Sequence, residues 1–182
     1  MGGMIVSTRP VALDDVPAIG ELLCANREFL LPFEPARPDD YFSPEGQEPV
    51  IRTALERYAA GITVPHVILV DGRIVGRINL NDIVRGPFLN AHLGYWVSQA
   101  DNGRGVATAA VRHMTRVAFE EEGLHRIQSG TMLHNAASQK VLERNGFIRF
   151  GVAEKYLKIA GKWEDHVLFQ LLADAEGQNA PQ

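Results

Sequence analysis

Hydrophobic and polar residues recur along this chain with two different periods, and the changes of period divide it into helices and strands. Apolar residues follow helical spacing after Asp14, over 49–60, after the glycine turn at 101–105 and after Asn135. Between these segments they form short extended runs, which are typical of strands. The predicted order is strand, two helices, three strands, helix, strand, helix and two strands. That order indicates one mixed sheet with helices packed on it.

Turn signals separate the predicted strands. Asp71-Gly72 is a strong hairpin signal between the second and third strands, and Gly161-Lys162 marks a tight turn between the last two. Residues 36–49 hold three prolines and four acidic residues and predict an exposed loop. The predicted strands cover 4–9, 66–70, 74–84, 91–98, 124–132, 147–159 and 163–172.

Composition narrows the class of protein. The chain has 182 residues, of which 46% are hydrophobic and 22% charged, as in ordinary globular proteins. The single cysteine, Cys24, excludes an intrachain disulfide framework and a multi-cysteine zinc site. No run is long enough for a membrane span, and the net charge of -4 weighs against generic nucleic-acid binding. We expect one cytoplasmic domain over 1–173 and a polar, disordered tail at 174–182, without membrane or nucleic-acid partners.

The segment with the clearest chemistry is NGRGVA at 102–107, which follows a predicted strand and opens a helix. Gly103 and Gly105 let the backbone approach a ligand closely, and the free N–H groups of a first helical turn suit a diphosphate. The segment lacks the Lys-Ser/Thr of a P-loop and the third glycine of a dinucleotide fingerprint. Taken alone, an ordinary strand-to-helix turn is an equally good interpretation.

Four segments together resemble the GNAT superfamily of acetyl-CoA-dependent N-acetyltransferases, in particular its Rim-type ribosomal-protein alanine N-acetyltransferases. They are LGYWV at 93–97, NGRGVA at 102–107, HNAAS at 134–138 and ERNGF at 143–147. Gly105 and Ala107 match the family's diphosphate loop, whereas Asn102 departs from its usual Gln or Arg. The resemblance covers 4–172. It implies an α/β (α+β) GNAT fold, with a mixed seven-stranded sheet, helices on both faces and a cleft between two splayed central strands.

The resemblance also implies a place for acetyl-CoA along that cleft, with no metal. A backbone N–H near Val97 would polarise the thioester carbonyl. Ser138 is the candidate acid, because Leu142 stands where many members carry a tyrosine. Asn135 would bond the pantetheine or a water, or serve only as a helix N-cap. The implied acetyl-CoA contacts are Tyr95, Trp96, Val97, Asn102, Gly103, Arg104, Gly105, Val106, Ala107, Thr108, Asn135 and Ser138.

The general base is less clear from the residues. Glu34 in PFEP and Asp165 in WEDH are the carboxylates that the resemblance places on the acceptor side, and each has the alternative of a solvated surface group. An α-amine has a pKa of about 7.7–8.0, against about 10.4 for lysine. A weak base therefore suffices for an α-amine, which favours that acceptor.

Three hypotheses of function follow. The first is an enzyme that transfers acetyl from acetyl-CoA to the N-terminal α-amine of a protein, such as a ribosomal protein, by direct attack on the thioester. The second keeps this chemistry with a small amine, an antibiotic or polyamine, as acceptor; a closed pocket beside 36–49 would favour it, and an open groove would favour a peptide. The third is a non-catalytic acyl-CoA-binding regulatory module. The oligomeric state is left open, a homodimer included.

Overall fold

A computed structural model describes residues 3–173, which form one seven-stranded sheet with helices on both faces, so the predicted fold class is confirmed. The predicted tail at 174–182 lies outside the described residues. The strands are β1 (Val6–Pro10), β2 (Val64–Val70), β3 (Arg73–Val84), β4 (Asn90–Val97), β5 (Arg126–Met132), β6 (Ile148–Ile159) and β7 (Lys162–Leu172). The α-helices are α1 (Val16–Ala25), α2 (Arg27–Leu30), α3 (Pro44–Ala59), α4 (Val106–Arg116) and α5 (Ala136–Arg144).

The strand order β1-β2-β3-β4-β5-β7-β6 is antiparallel throughout except between β4 and β5. That parallel pairing joins only Asn90–His92 to Arg126–Gln128. Beyond it, β4 stays paired with β3 as far as Val97, and β5 stays paired with β7 as far as Met132. Each strand thus follows its other neighbour, and the predicted cleft opens between them.

Two hydrophobic cores lie on opposite faces of the sheet because successive side chains of a strand point to opposite sides. In β2, Val67 and Leu69 pack with residues of α1 and α3, while Ile68 and Val70 pack with residues of α4 and α5. Full burial of each such side chain contributes about 1.5–3 kcal/mol. The helices are therefore held in fixed positions around the cleft.

The predicted exposed loop at 36–49 is wrong. A 3-10 turn covers Asp39–Phe42, and α3 begins at Pro44, five residues before the predicted helix start. The Ser43 side chain caps this helix by accepting a hydrogen bond from the Gly46 N–H at 3.1 Å, and Pro44 stands in the first turn, where no N–H is needed. Pro49 lies inside the helix and removes one helical hydrogen bond.

Smaller differences concern the ends of elements. The carboxylate at the start of the first helix is that of Asp15 rather than Asp14; it accepts hydrogen bonds from the Ala12 N–H and the Arg9 guanidinium, both at 2.8 Å. The turn at Asp71-Gly72 is as predicted. The last hairpin turns at Ala160-Gly161, one residue earlier than predicted. The other strand ends move by at most two residues.

Candidate active site

A cleft of about 570 Å³ opens where β4 leaves β5, and its walls come from α2, the start of α4 and α5. Of the predicted acetyl-CoA contacts, all except Arg104 line it. The segments at 93–97, 102–107 and 134–138, which are separate in the sequence, thus meet at one place. Phe29 and Phe33, at and just beyond α2, form part of the wall across from the α4 start.

The glycine turn leaves the start of α4 open to a ligand. Gly103 and Gly105 have φ of 72° and 81°, a left-handed conformation that favours glycine. A Cβ at either position would meet no atom within 4 Å, so the backbone is uncovered there. Gly105 is the N-cap of α4, and among the residues that the structure describes no side chain bonds the free N–H groups of the first turn. This geometry suits the diphosphate of a coenzyme.

Positive charge surrounds this helix start. Asp101 is 1% exposed and its carboxylate holds two arginines, Arg73 at 3.0 Å and Arg104 at 3.2 Å. Arg104 therefore lies beside the cleft rather than on its lining. Lys140 and Arg144, one helical turn apart on α5, line the cleft and were missed by the sequence analysis. Their spacing was visible, but only the fold shows that this side of α5 faces the glycine turn.

Ser138 is hydrogen-bonded at both its backbone and its side chain. Its N–H donates to Asn135 Oδ1 at 3.2 Å, which makes Asn135 the N-cap of α5. Its Oγ lies 2.7 Å from the Tyr95 hydroxyl. Burial raises the pKa of Tyr95 to about 12, against a smaller lowering by the Ser138 hydrogen bond, so the phenol stays protonated at neutral pH. The cleft thus contains a hydroxyl pair that sequence reasoning did not connect.

The backbone of β4 presents hydrogen-bond donors to the open side of the cleft. The Trp96 carbonyl faces β3, since a Cβ on Gly76 would lie 2.1 Å from it. The Leu93 carbonyl faces β5, where it accepts a hydrogen bond from Ser129 Oγ at 3.0 Å. Because successive residues of a strand point their N–H and C=O groups to opposite edges, the Val97 N–H faces the gap left by β5.

The two candidate bases lie in different surroundings. Glu34 is not itself on the cleft lining but directly follows Phe33, a lining residue, and its backbone carbonyl accepts the Ala160 N–H at 2.9 Å. Burial raises the pKa of Glu34, with smaller opposite effects from Arg37 and Arg77. Asp165 is not on the cleft lining. Its Oδ1 accepts the Lys155 N–H at 2.8 Å, and it borders a separate small pocket.

Within residues 3–173, no three His, Cys, Asp or Glu side chains lie where they could hold a metal ion together. No helix in the same range is long and apolar enough to cross a membrane.

Comparison with known proteins shows the family to which this chain belongs. Residues 6–148 match the acetyltransferase (GNAT) domain family. The chain is 38% identical to the probable N-acetyltransferase YjcK of Bacillus subtilis, over 93% of this chain and 95% of that protein. It is 34% identical to the [ribosomal protein uS5]-alanine N-acetyltransferase of Escherichia coli, over 86% and 82%. Mycobacterium smegmatis RimJ, solved in complex with CoA-disulfide, matches with a TM-score of 0.89 at 30% identity, covering 96% of this chain and 84% of that one.

The residues present fit the coenzyme that the family uses: an open helix start for a diphosphate, four nearby cations and a strand edge with free N–H groups. The hypothesis of a non-catalytic module is not favoured by relatives that are acetyltransferases. The chain therefore belongs to the GNAT acetyltransferase family, and it transfers the acetyl group of acetyl-CoA to an amine.

Proposed function

We propose that the acceptor is the N-terminal α-amine of a protein, of the ribosomal-protein alanine type. The observation that carries this proposal is that no acidic side chain on the described cleft lining is free to act as a strong base. Within the described residues the lining holds one acidic side chain, Asp101, which is already paired with Arg73 and Arg104. An amine as basic as lysine would need a strong base there, whereas roughly 10–20% of an α-amine is already neutral near pH 7. The relative from Escherichia coli named above supports the same class of acceptor.

In this proposal the chain holds the coenzyme through three groups of residues. The α4 start with Gly103 and Gly105 binds the diphosphate, and Lys140 and Arg144 add positive charge. The β4 segment from Tyr95 to Val97 lies along the pantetheine arm. Acetyl-CoA supplies an acetyl group activated as a thioester. The Val97 N–H then stabilises the negative charge that develops on the thioester oxygen, an effect often worth about 3 kcal/mol of barrier.

Proton transfer needs a donor for the departing sulfur and an acceptor for the amine proton. We assign the donor side to Ser138, whose Oγ is held by the Tyr95 hydroxyl at 2.7 Å and whose backbone is positioned by Asn135. We assign the acceptor side to Glu34, acting through water, because burial raises its pKa toward that of a useful base. Asp165 has a structural role here, since it caps the backbone of β6 at Lys155.

The test compares three acceptors with the purified protein and acetyl-CoA: a peptide beginning with Ala, the same peptide blocked at its N-terminus but carrying an internal Lys, and spermidine. Free thiol is followed over time and the modified atom is located by mass spectrometry. We expect the first peptide to react at least tenfold faster, by kcat/KM, than either of the others. An equal or faster reaction of spermidine or of the blocked peptide would overturn the proposal.

A further inference from the structure

The face of β3 beside the cleft carries two polar side chains that lack partners. Arg77 and Asn79 are two residues apart, so they share one face, and they pair with Trp96 and Gly94 of β4. Arg77 is 8% exposed, yet its Nε has no hydrogen-bond partner, and within residues 3–173 its guanidinium takes part in no ion pair. Asn79 Oδ1 is also buried without a partner. Buried groups of this kind are nearly always hydrogen-bonded, so a ligand is a physical reason for the gap.

The surroundings show where such a ligand would lie. Trp96, the neighbour of Arg77 across the strand pair, lines the cleft. Burial lowers the pKa of Arg77, while Tyr41 and Glu34 raise it, and Arg77 in turn lowers the pKa of Glu34. Each charge therefore affects the other, yet no ion pair joins them. Glu34 follows Phe33 and Arg77 pairs with Trp96, and both Phe33 and Trp96 line the cleft, so a carboxylate and a guanidinium lie next to the same cleft.

We propose that Glu34 and Arg77 form a two-point subsite that recognises the first residue of an acceptor peptide. Glu34 holds the water that accepts the proton of the α-amine, and the Arg77 guanidinium donates hydrogen bonds to the carbonyl oxygen of the same residue. This inference rests on the proposed function and specifies how its acceptor is selected. In a peptide one carbon links the α-amine to its carbonyl, so both groups are reached together; a lysine side chain or a polyamine has no carbonyl there.

Asn79 extends the subsite by one group. Its unpartnered oxygen is a hydrogen-bond acceptor, and it lies on the same face as Arg77. The Arg77 guanidinium can donate to the first carbonyl of a peptide, and the Asn79 oxygen can accept from the N–H that follows it. A free amino acid carries a carboxylate oxygen in place of that N–H; this oxygen cannot donate to Asn79, although the carboxylate can still bind Arg77, so free alanine tests the Asn79 contact.

The experiment uses wild-type protein, Arg77→Met and Arg77→Lys, with Arg52→Met as the matched control, because Arg52 is exposed on α3 and pairs with Glu48. The acceptors are a peptide beginning with Ala, free alanine, and a fluorinated ethylamine whose basicity matches an α-amine but which has no carbonyl. We expect the wild-type ratio of kcat/KM for peptide over ethylamine to fall ten- to hundredfold in Arg77→Met. The ratio for Arg77→Lys should lie between those of wild type and Arg77→Met, since lysine keeps the charge but not the planar set of donors.

Two further readouts separate recognition from a structural role. The melting temperature of unliganded Arg77→Met should equal or exceed that of wild type, because the substitution removes a buried charge that has no partner. Calorimetric affinity for CoA should not change. A melting temperature several degrees lower, or an unchanged peptide-to-ethylamine ratio in Arg77→Met, overturns the inference.

The wild-type arms test the proposed function by themselves. If wild-type protein prefers the ethylamine to the peptide, the proposed acceptor class fails. If wild type prefers the peptide and Arg77→Met keeps that preference, only the subsite fails. If free alanine reacts as well as the peptide, the commitment to a peptide backbone is wrong.

Discussion

Gly105 meets two requirements at once, a left-handed backbone with φ of 81° and an uncovered approach to the start of α4. We expect Gly105→Asp to abolish coenzyme binding, because it places a negative charge at the helix start that we propose holds the diphosphate. Gly105→Ala is the matched control. Its Cβ has open space, so the cost is about 1 kcal/mol of backbone strain and binding persists. Isothermal titration with CoA measures both variants, and wild-type affinity in Gly105→Asp would refute the assignment.

Ser138 is the side chain whose removal best tests the proton-donor assignment. Ser138→Ala should lower kcat by about a hundredfold while CoA affinity changes less than about twofold, because the Oγ acts on the departing sulfur. Tyr95→Phe should give a smaller loss, since the phenol acts on Ser138 through its 2.7 Å contact. Ser7→Ala, an exposed change on β1, serves as control. Steady-state kinetics that show full activity in Ser138→Ala remove this residue from the mechanism.

The sequence predicted the contacts of a single residue correctly where both partners lie in the same short segment. Asn135 and Ser138 lie three apart at a helix start, and the structure shows the predicted N-cap with Oδ1 bonded to the Ser138 N–H. The Tyr95–Ser138 pair spans 43 positions of the chain. The pair forms because β4 and α5 face the same cleft. A pattern of neighbouring residues gives no information about a contact between positions so far apart in the sequence.

At the scale of elements, the contact between β3 and β4 depends on Gly76. A Cβ there would lie 2.1 Å from the Trp96 carbonyl and 3.0 Å from the Val97 Cα. Gly76→Ala should therefore lower the free energy of unfolding by about 2–3 kcal/mol and raise the KM for acetyl-CoA, because β4 must shift. Gly94→Ala, whose Cβ meets only Asn81 Nδ2 at 3.4 Å, should lose less than about 1 kcal/mol. Urea unfolding compares the pair, and equal losses would contradict the expectation.

The start of α3 shows why one element was missed. Three prolines between 36 and 49 predict a loop, but Pro44 follows Ser43, a side chain that caps the helix. Proline in the first helical turn lacks an N–H that would have no partner anyway, so the same residue permits a helix start. The start of α3 also packs tightly against α1, which favours a helix at this position: a Cβ on Gly20 would lie 2.5 Å from the Pro44 nitrogen.

At the scale of the whole molecule, acid stability depends on His66. It is 5% exposed and its Nδ1 lies 3.0 Å from Thr8 Oγ1. Burial, helped by the charge of His113, lowers the pKa of His66 from 6.5 to about 4. The unfolded chain then binds the proton at a higher pH than the folded protein. The contribution of neutral His66 to the free energy of unfolding should therefore be complete above about pH 6.5, and about 3 kcal/mol of it should be lost as the pH drops to about 4.

The check is denaturant unfolding measured between pH 7 and pH 4. His66→Gln should lose this pH-dependent part, whereas His125→Gln, a change at an exposed position, should keep it. A His66→Gln variant with the wild-type pH slope would contradict the role given to His66.

The sequence by itself determined the type and order of nearly all elements and the position of the glycine turn that opens α4. The reason is physical: strand alternation, helical spacing, the Asp71-Gly72 hairpin and glycines with φ above zero are properties of neighbouring residues. The tertiary structure decided what depends on distant pairs. The opening between β4 and β5, the side of α5 that carries Lys140 and Arg144, and the pairing of Arg77 with Trp96 beside the cleft arise because strands and helices far apart in the chain pack at one place.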